Sequence, residues 1–164
     1  MEADIGSTVR RIVTGHDDEG RAVVQIDRRE ELVPRRERVS SRVLWTSTSV
    51  PADNAGDEDA SDAEIGLTIS AGTVFRVVQF EPGNPEFLHR TASVDYAVVM
   101  DGEIDMEFGE GETVHLQAGD VLIQRGTIHG FRNRGSSPCR IAFVLVSAAP
   151  VEVAGRVLGD LVPD

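Results

Sequence analysis

The sequence predicts an all-β fold, either a barrel or a sandwich, and three observations support this prediction. Eight short segments rich in β-forming residues crowd one part of the chain, glycine, aspartate and proline separate them, and no helical periodicity lies between them. Such closely spaced strands favour antiparallel packing over alternating strand and helix units. The predicted strands are residues 73–80, 86–91, 95–100, 103–108, 112–117, 121–124, 128–133 and 139–147.

The clearest turn is the hairpin at Asp101-Gly102, which supplies the positive backbone angles that a tight two-residue turn needs. Two further β segments, residues 9–14 and 21–27, flank a turn rich in aspartate and glycine near the N-terminus. The mixed-charge residues 28–42 that follow are predicted to form a loop or, at most, a short helical turn.

The length of the chain predicts one domain spanning residues 1–164. The tail, residues 151–164, has enough valine and leucine to dock as a strand or short helix, or to contribute to a dimer.

The composition limits the cellular compartment and the classes of partner that are expected. The single cysteine, Cys139, precedes an apolar run, so a reduced, buried and inert thiol is expected. Neither a leader peptide nor an apolar run long enough to cross a bilayer is recognisable, and a cytoplasmic location is expected. The net charge of −12 should repel nucleic acid, which leaves a small molecule or a protein as the partner.

Much of the negative charge lies in residues 51–64, which show no apolar periodicity and are predicted to form a solvated, mobile loop. A calcium site is the alternative, although the spacing does not follow the helix-loop-helix pattern. The acidic residues are Asp53, Asp57, Glu58, Asp59, Asp62 and Glu64.

Polar side chains are predicted inside the fold at residues 87–95. Because strand residues two apart share a face, His89 and Thr91 should point inward with Phe87. Asp95 opens the next strand, and a carboxylate there must be solvated or satisfied by a neighbour. A further histidine, His129, follows a glycine-rich bend.

These positions resemble the two sequence motifs of the cupin superfamily. The first motif has glycine, five residues, His-x-His, three or four residues, glutamate, six residues and glycine. Gly83, His89, Thr91, Asp95 and Gly102 meet every one of these spacings, with Thr91 in place of the second histidine and Asp95 in place of glutamate.

The second motif has glycine, five residues, Pro-x-Gly, two residues, histidine, three residues and asparagine. Gly119, Gly126, His129 and Asn133 follow it with one residue fewer after the first glycine, and Gln124 replaces the proline. Residues 10–24 and 88–104 also resemble a subgroup of single-domain cupins in which some members are proposed to be dehydratases.

This resemblance implies a cupin-type double-stranded β-helix (jelly-roll) barrel with its core at about residues 70–147 and with extra N-terminal strands and an acidic loop in residues 1–69. It also implies a divalent metal, Fe, Zn, Mn or Ni, held by His89, Asp95 and His129, which match the family's ligand positions. Two imidazoles and one carboxylate form the ligand set of non-haem Fe(II) enzymes.

Two other interpretations of the same residues stay open. In a metal-free pocket, His89 or His129 could act as general acid and base while Asp95 orients the imidazole ring and fixes its tautomer. Alternatively, the histidines could simply be hydrogen-bonded inside an apolar barrel.

Other residues are candidates for substrate contact or are assigned to structure. His115 should point outward, and Asn133 should stabilise a turn. The substrate-contact candidates are Thr91, Phe87, Tyr96, Gln124, Arg125 and Phe131.

The function expected from the sequence is catalysis on a small, largely apolar organic molecule. His89, Asp95 and His129 are the expected catalytic residues, and the reaction would be that of a dehydratase-type lyase or a metal-dependent oxygenase. The alternative is a cupin that binds or senses a small ligand without turnover. The resemblance further implies a homodimer.

Overall fold

The computed structural model describes residues 8–56, 58–61 and 65–163, and every regular element within these ranges is a β-strand. No helix in these ranges is long and apolar enough to cross a membrane. The strands are β1 (Thr8–His16), β2 (Ala22–Glu31), β3 (Val33–Arg36), β4 (Val39–Ser47), β5 (Thr73–Phe80), β6 (Ser93–Asp101), β7 (Glu103–Glu107), β8 (Thr113–Gln117), β9 (Val121–Arg125), β10 (Gly130–Arg132), β11 (Cys139–Ser147), β12 (Val151–Val153) and β13 (Arg156–Leu158).

Two antiparallel sheets enclose the main core. The larger has the strand order β3-β4-β5-β11-β6-β9, and the smaller has the order β10-β7-β8. Alternation decides which side chains enter the core: on β6, Asp95 and Ala97 are 4% exposed, whereas Tyr96 and Val98 are 51% and 45% exposed. The all-β prediction is confirmed, and this face of β6 brings a carboxylate into the interior.

The glycine, aspartate and proline residues between strands predicted the best-defined strands correctly. The predicted segments 73–80 and 139–147 coincide with β5 and β11. The predicted hairpin joins β6 to β7 at Gly102, whose φ is +76°. A Cβ there would lie 2.5 Å from the carbonyl oxygen of Pro138, so both the backbone angle and the close approach require glycine.

Two segments differ from their predictions. Residues 28–42 form the end of β2, all of β3 and the start of β4, and Arg42 of β4 pairs with Glu30 of β2. Pro34 is tolerated because β3 lies at the edge of the sheet. Conversely, residues 86–91 are not a strand: only His89 and Arg90 form isolated bridges, to His129 and Leu161.

The β1–β2 hairpin packs beside the larger sheet through a second, smaller core. This cluster contains Leu32, Leu44 and Val77, with Val9 and Ala142 packed against it. Val77 and Ala142 belong to the central strands β5 and β11, so the hairpin covers the sheet face opposite the main core.

A buried ion cluster joins this hairpin to the acidic segment. Arg11, whose side chain is 4% exposed, donates hydrogen bonds to Glu30 at 2.9 Å and to both carboxylate oxygens of Asp59 at 2.7 and 2.5 Å. Arg28 contacts both carboxylates, and Arg42 lies 3.0 Å from Glu30. The predicted solvated loop is therefore anchored at Asp59, because a buried arginine needs a carboxylate partner. The other predicted loop residues Asp57, Asp62 and Glu64 lie outside the described residues.

The C-terminal tail contacts the segment that carries the first cupin motif. After the β12–β13 hairpin, the backbone of Leu161 exchanges two hydrogen bonds with Arg90, each 2.8 Å long. The Asp160 carboxylate accepts a 2.6 Å hydrogen bond from the backbone N–H of Ala92. These contacts hold the segment that carries His89 and Thr91, which is otherwise not part of a sheet.

Candidate functional site

A pair of histidines occupies the interior beside the smaller sheet. His89 and His129 form an antiparallel bridge through two backbone hydrogen bonds of 2.9 Å, and their ring centroids are 4.4 Å apart with the planes tilted by 57°. Partners in an antiparallel bridge present their side chains on the same face, which explains why residues 40 positions apart meet.

Backbone carbonyls fix the tautomer of both rings. His89 Nδ1–H donates to the carbonyl of Phe87 at 3.3 Å, and His129 Nδ1–H donates to the carbonyl of Thr127 at 2.9 Å. A carbonyl can only accept, so each neutral ring keeps its proton on Nδ1 and carries its lone pair on Nε2. The chain therefore holds two imidazole Nε2 atoms that can each take up a proton or bind a metal ion.

Burial keeps both rings neutral. It lowers the pKa of His89 to about 4, helped by the neighbouring His129 and the positive charges of Arg36 and Arg76. Burial also lowers the pKa of His129, against the opposing effect of its bond to Thr127. Near neutral pH, both residues are bases and not acids.

We predict that the imidazole signals of these histidines titrate well apart from that of His115. In long-range ¹H–¹⁵N spectra, His89 should titrate near pH 4 and His129 below the ordinary histidine range. The exposed His115 is the internal control, because its hydrogen bond to Asp105 raises its pKa. Titration of His89 above pH 6 would contradict the neutral pair.

Asp95 is also inside the fold and belongs to a hydrogen-bonded chain with Ser93 and Thr91. Its Oδ1 accepts a 2.6 Å hydrogen bond from the Ser93 hydroxyl, so the Ser93 oxygen in turn accepts from Thr91 at 2.9 Å. Burial raises the pKa of Asp95, opposed by Ser93 and by the positive charge of Arg76. No hydrogen bond among the described residues joins Asp95 to either imidazole, and backbone carbonyls accept from both Nδ1 atoms.

The three-ligand metal site expected from the resemblance is not assembled. Within the described ranges, no group of three or more His, Cys, Asp or Glu side chains is placed to hold a metal ion. His89 and His129 are adjacent, but Asp95 is engaged with Ser93, and Thr91 is the donor in that same chain. The residues present thus supply two imidazoles without the carboxylate.

Aromatic rings surround the histidine pair. The Phe87 ring lies 5.1 Å from that of His89, with the Arg36 guanidinium 3.6 Å from the Phe87 centroid. The Phe131 ring lies 5.7 Å from His129, edge-on. Both phenylalanines are therefore beside the pair, and their contact with a substrate stays a prediction.

The remaining candidates divide by sheet face. Tyr96, a substrate-contact candidate, is 51% exposed on the outer face of β6 and therefore does not line the interior. Arg125 is exposed on β9, and a role at the barrel mouth stays a prediction. Gln124 is 2% exposed, and neither polar atom of its amide has a hydrogen-bond partner. His115 points outward as predicted and contacts Asp105 at 2.8 Å.

Sequence reasoning missed Arg76 and Ser93. Arg76 stands on β5 between the inward residues Val74 and Val78, and it is opposite Phe143 of the core. The alternation of this strand could have revealed an inward-facing arginine. Ser93 carried no comparable signal, because a serine before a strand is common at the surface.

Comparison with known proteins supports this architecture. The Cupin domain family matches residues 76–146. The cupin-domain-containing oxidoreductase fogC of Aspergillus ruber is 34% identical over 171 residues, which cover 96% of this chain and 84% of fogC. The chain belongs to the cupin family. A second relative of this cupin, the phomopsin biosynthesis cluster protein C' of Diaporthe leptostromiformis, is 35% identical over 94% of this chain and 86% of its own.

A solved structure agrees on the fold of this cupin. A conserved protein from Klebsiella pneumoniae with a double-stranded β-helix domain superposes with a TM-score of 0.54 at 21% identity. The match covers 81% of this chain and 90% of that one. The double-stranded β-helix predicted from the motifs is thereby confirmed.

Proposed function

We propose that this cupin is an enzyme that dehydrates a small organic molecule by proton transfer through His89 and His129. The observation that carries the proposal is the contact of two neutral rings with both Nε2 lone pairs left free by the backbone bonds. Proton abstraction beside a carbonyl requires such a positioned base, and a buried neutral imidazole meets that need.

The proposed reaction is balanced without an added oxidant. One Nε2 takes the proton from the carbon beside a carbonyl, the C–H electron pair forms the new double bond, and the bond from the next carbon to its hydroxyl breaks. The proton then passes to the departing hydroxide, which leaves as water. Phe87 and Phe131 would pack against the apolar part of the substrate.

Solvent exchange tests this proposal before the natural substrate is known. In D₂O, the parent protein should exchange the proton beside the carbonyl of simple β-hydroxy ketones, followed by ¹H NMR. His89→Asn and His129→Asn should each slow exchange by about 10²-fold or more, because the amide can still donate to the carbonyl but the Nε2 base is lost.

His115→Asn is the matched control for this experiment, since that histidine is exposed on the outer surface. Exchange that is unchanged in both interior variants would contradict the proposal. Binding of a β-hydroxy ketone by the parent without exchange or loss of water would favour the alternative, a ligand-binding cupin.

Oxidoreduction is the second candidate function, because relatives of this chain are named cupin-domain-containing oxidoreductases. The geometry predicts weak retention of Fe, Zn, Mn or Ni, since losing one ligand typically lowers affinity by a large factor. Elemental analysis of the dialysed, untagged protein should find well under one metal per chain. Near-stoichiometric metal that disappears in His129→Asn would instead favour oxidoreduction.

We also infer a homodimer that forms through the outer face of β6 and β9. Tyr96 pairs in register with Ile123, and Val98 with Val121, and these four side chains are 51%, 58%, 45% and 69% exposed. A contiguous apolar surface on an edge strand favours association. Light scattering should give twice the chain mass of 17.7 kDa.

The test of this surface is a charged double variant. Val121→Lys with Ile123→Lys should yield monomers, while Val114→Lys on the smaller sheet, 44% exposed in the parent, should leave the dimer intact. A monomeric parent would contradict the inference.

The expected cytoplasmic location stays a prediction. It is supported by the free Cys139, which is fully buried and whose pKa is raised to about 12 by burial and by Asp101 and Glu103. Such a thiol is unreactive and is not a partner for an external disulfide.

A further inference from the structure

An arginine stands inside the fold, and no carboxylate within residues 8–56, 58–61 and 65–163 forms a salt bridge with it. Arg76 lies on the inner face of β5, opposite Phe143, in a row of otherwise apolar residues. Its Nη2 donates to the backbone carbonyls of Gly66 and Leu67 at 2.7 and 2.9 Å. Carbonyl dipoles solvate a guanidinium but leave its net charge uncompensated.

The remaining contacts of Arg76 within the described residues also leave its positive charge uncompensated. Its Nε–H is buried and has no hydrogen-bond partner. Asp95 acts on it electrostatically, but the described residues include no salt bridge between the two, and the Asp95 carboxylate accepts from Ser93 instead. Arg35 lies close enough to repel it. A buried charged donor left unsatisfied is destabilising, so the arrangement calls for an anion that the described residues do not supply.

A second orphaned polar group lies on the same interior face. Gln124 is directly opposite Asp95 in the β6–β9 register and is 2% exposed. Both its amide nitrogen and its amide oxygen are buried without partners. Buried amides are nearly always paired in folded proteins, so this side chain is free both to donate to a carbonyl or hydroxyl oxygen and to accept from a hydroxyl group.

The two orphaned groups share their surroundings with the histidine pair. Arg76 is opposite Phe143 across β5 and β11, and the Phe143 ring contacts Phe131, whose ring in turn contacts His129. Arg76 also acts electrostatically on both Asp95 and His89. The rest of the lining is largely apolar, with Phe131 and Phe143 in ring contact at 5.6 Å. One arginine beside one carboxylate suits a monoanion, because a dianion would meet Asp95 at close range.

We infer that Arg76 and Gln124 form a recognition subsite for a small organic acid, with its carboxylate at Arg76 and a neutral carbonyl or hydroxyl group at Gln124. This deepens the proposed function, on which it rests only for placing that molecule beside the histidines. The substrate class is then a hydrophobic monocarboxylate, and the arginine is a specificity determinant.

Matched acid and amide probes test the subsite by binding alone. Benzoate, cinnamate and octanoate are compared with their primary amides, with affinity taken from NMR titration and the Arg76 Nε–H signal as the local reporter. The parent should bind acids over amides, and Arg76→Gln should weaken acid binding by about tenfold or more, with Arg76→Lys intermediate. Arg156→Gln, a change at an exposed position on β13, should leave every affinity unchanged.

Gln124→Met separates recognition from structure. If the amide serves a ligand, removing it from the ligand-free protein should raise the melting temperature by about 2 °C or more, because a buried unpaired amide disappears, while acid affinity falls several-fold. A structural amide would instead lower the melting temperature when replaced.

Three results would overturn the subsite: no binding of any acid by the parent, equal acid affinity in the parent and Arg76→Gln, or amides binding as tightly as acids. Melting curves of both Arg76 variants separate lost affinity from lost folding. The exchange experiment on His89→Asn is independent of these affinities, so the subsite and the proposed dehydration can fail separately.

Discussion

Replacing Arg11 by methionine should lower the free energy of unfolding by about 3–5 kcal/mol. The change leaves Glu30, 6% exposed, and Asp59, 19% exposed, without their buried guanidinium, so that the half-exposed Arg28 is the remaining side chain in contact with both. Urea unfolding measures the loss. The adjacent Arg10→Met is the matched control: Arg10 pairs with Asp27 on the surface, at 58% and 43% exposure, and its loss should change stability by less than about 1 kcal/mol.

The same cluster predicts how stability depends on pH. The Arg11 hydrogen bond holds the pKa of Asp59 far below its usual range, so the unfolded chain binds this proton more readily than the folded one. The contribution of Asp59 is therefore fully present above its unfolded pKa and is lost as pH falls through the acid range. Arg11→Met should flatten that acid slope, and equal slopes in parent and variant would contradict the role of the cluster.

Replacing Asn133 by alanine should destabilise the protein by about 3 kcal/mol or more. The side chain is 1% exposed, donates to the carbonyls of Phe80 and Ser137 at 2.9 and 2.8 Å, and accepts from the backbone N–H of Gly135 at 2.9 Å. Alanine removes all three hydrogen bonds and takes this donor from the buried carbonyl of Phe80. Thermal unfolding should show the loss.

The control for this variant is Asn54→Ala, at an exposed position, which should change stability by less than about 0.5 kcal/mol. A similar effect of the two substitutions would show that the buried hydrogen bonds of Asn133 contribute little. The role predicted for Asn133 from the sequence, stabilising a turn, is the one that the structure shows.

The sequence predicted the strands and the position of the histidines because both depend on local patterns. Glycine and aspartate mark strand ends, and alternation assigns Ala97 to the core and Tyr96 to the surface. The same alternation contradicts the choice of Tyr96 as a substrate-contact candidate inside the barrel. The histidine pair followed from motif spacing, which reflects which strands are neighbours.

The interior network could not be predicted, because it depends on distances between strands that are remote in sequence. Asp95 has the spacing of a ligand, but a serine two residues earlier takes its oxygen. Arg11 and Asp59 are 48 residues apart, and nothing local marks them as partners. A segment with many charged residues is predicted to be solvated. Only the packing of the β1–β2 hairpin shows that opposite charges from distant segments meet.

The return of the tail to Arg90 and Ala92 limits where this protein tolerates alteration. Gly159, Asp160 and Leu161 hold the short segment that carries His89 in place through hydrogen bonds. Affinity tags, fluorescent fusions or proteolytic trimming at this position would therefore act on the histidine pair while leaving the sheets intact. Tags for purification or imaging should instead be inserted in the exposed turn between β1 and β2. This turn belongs to the hairpin that lies on the opposite side of the larger sheet from the main core.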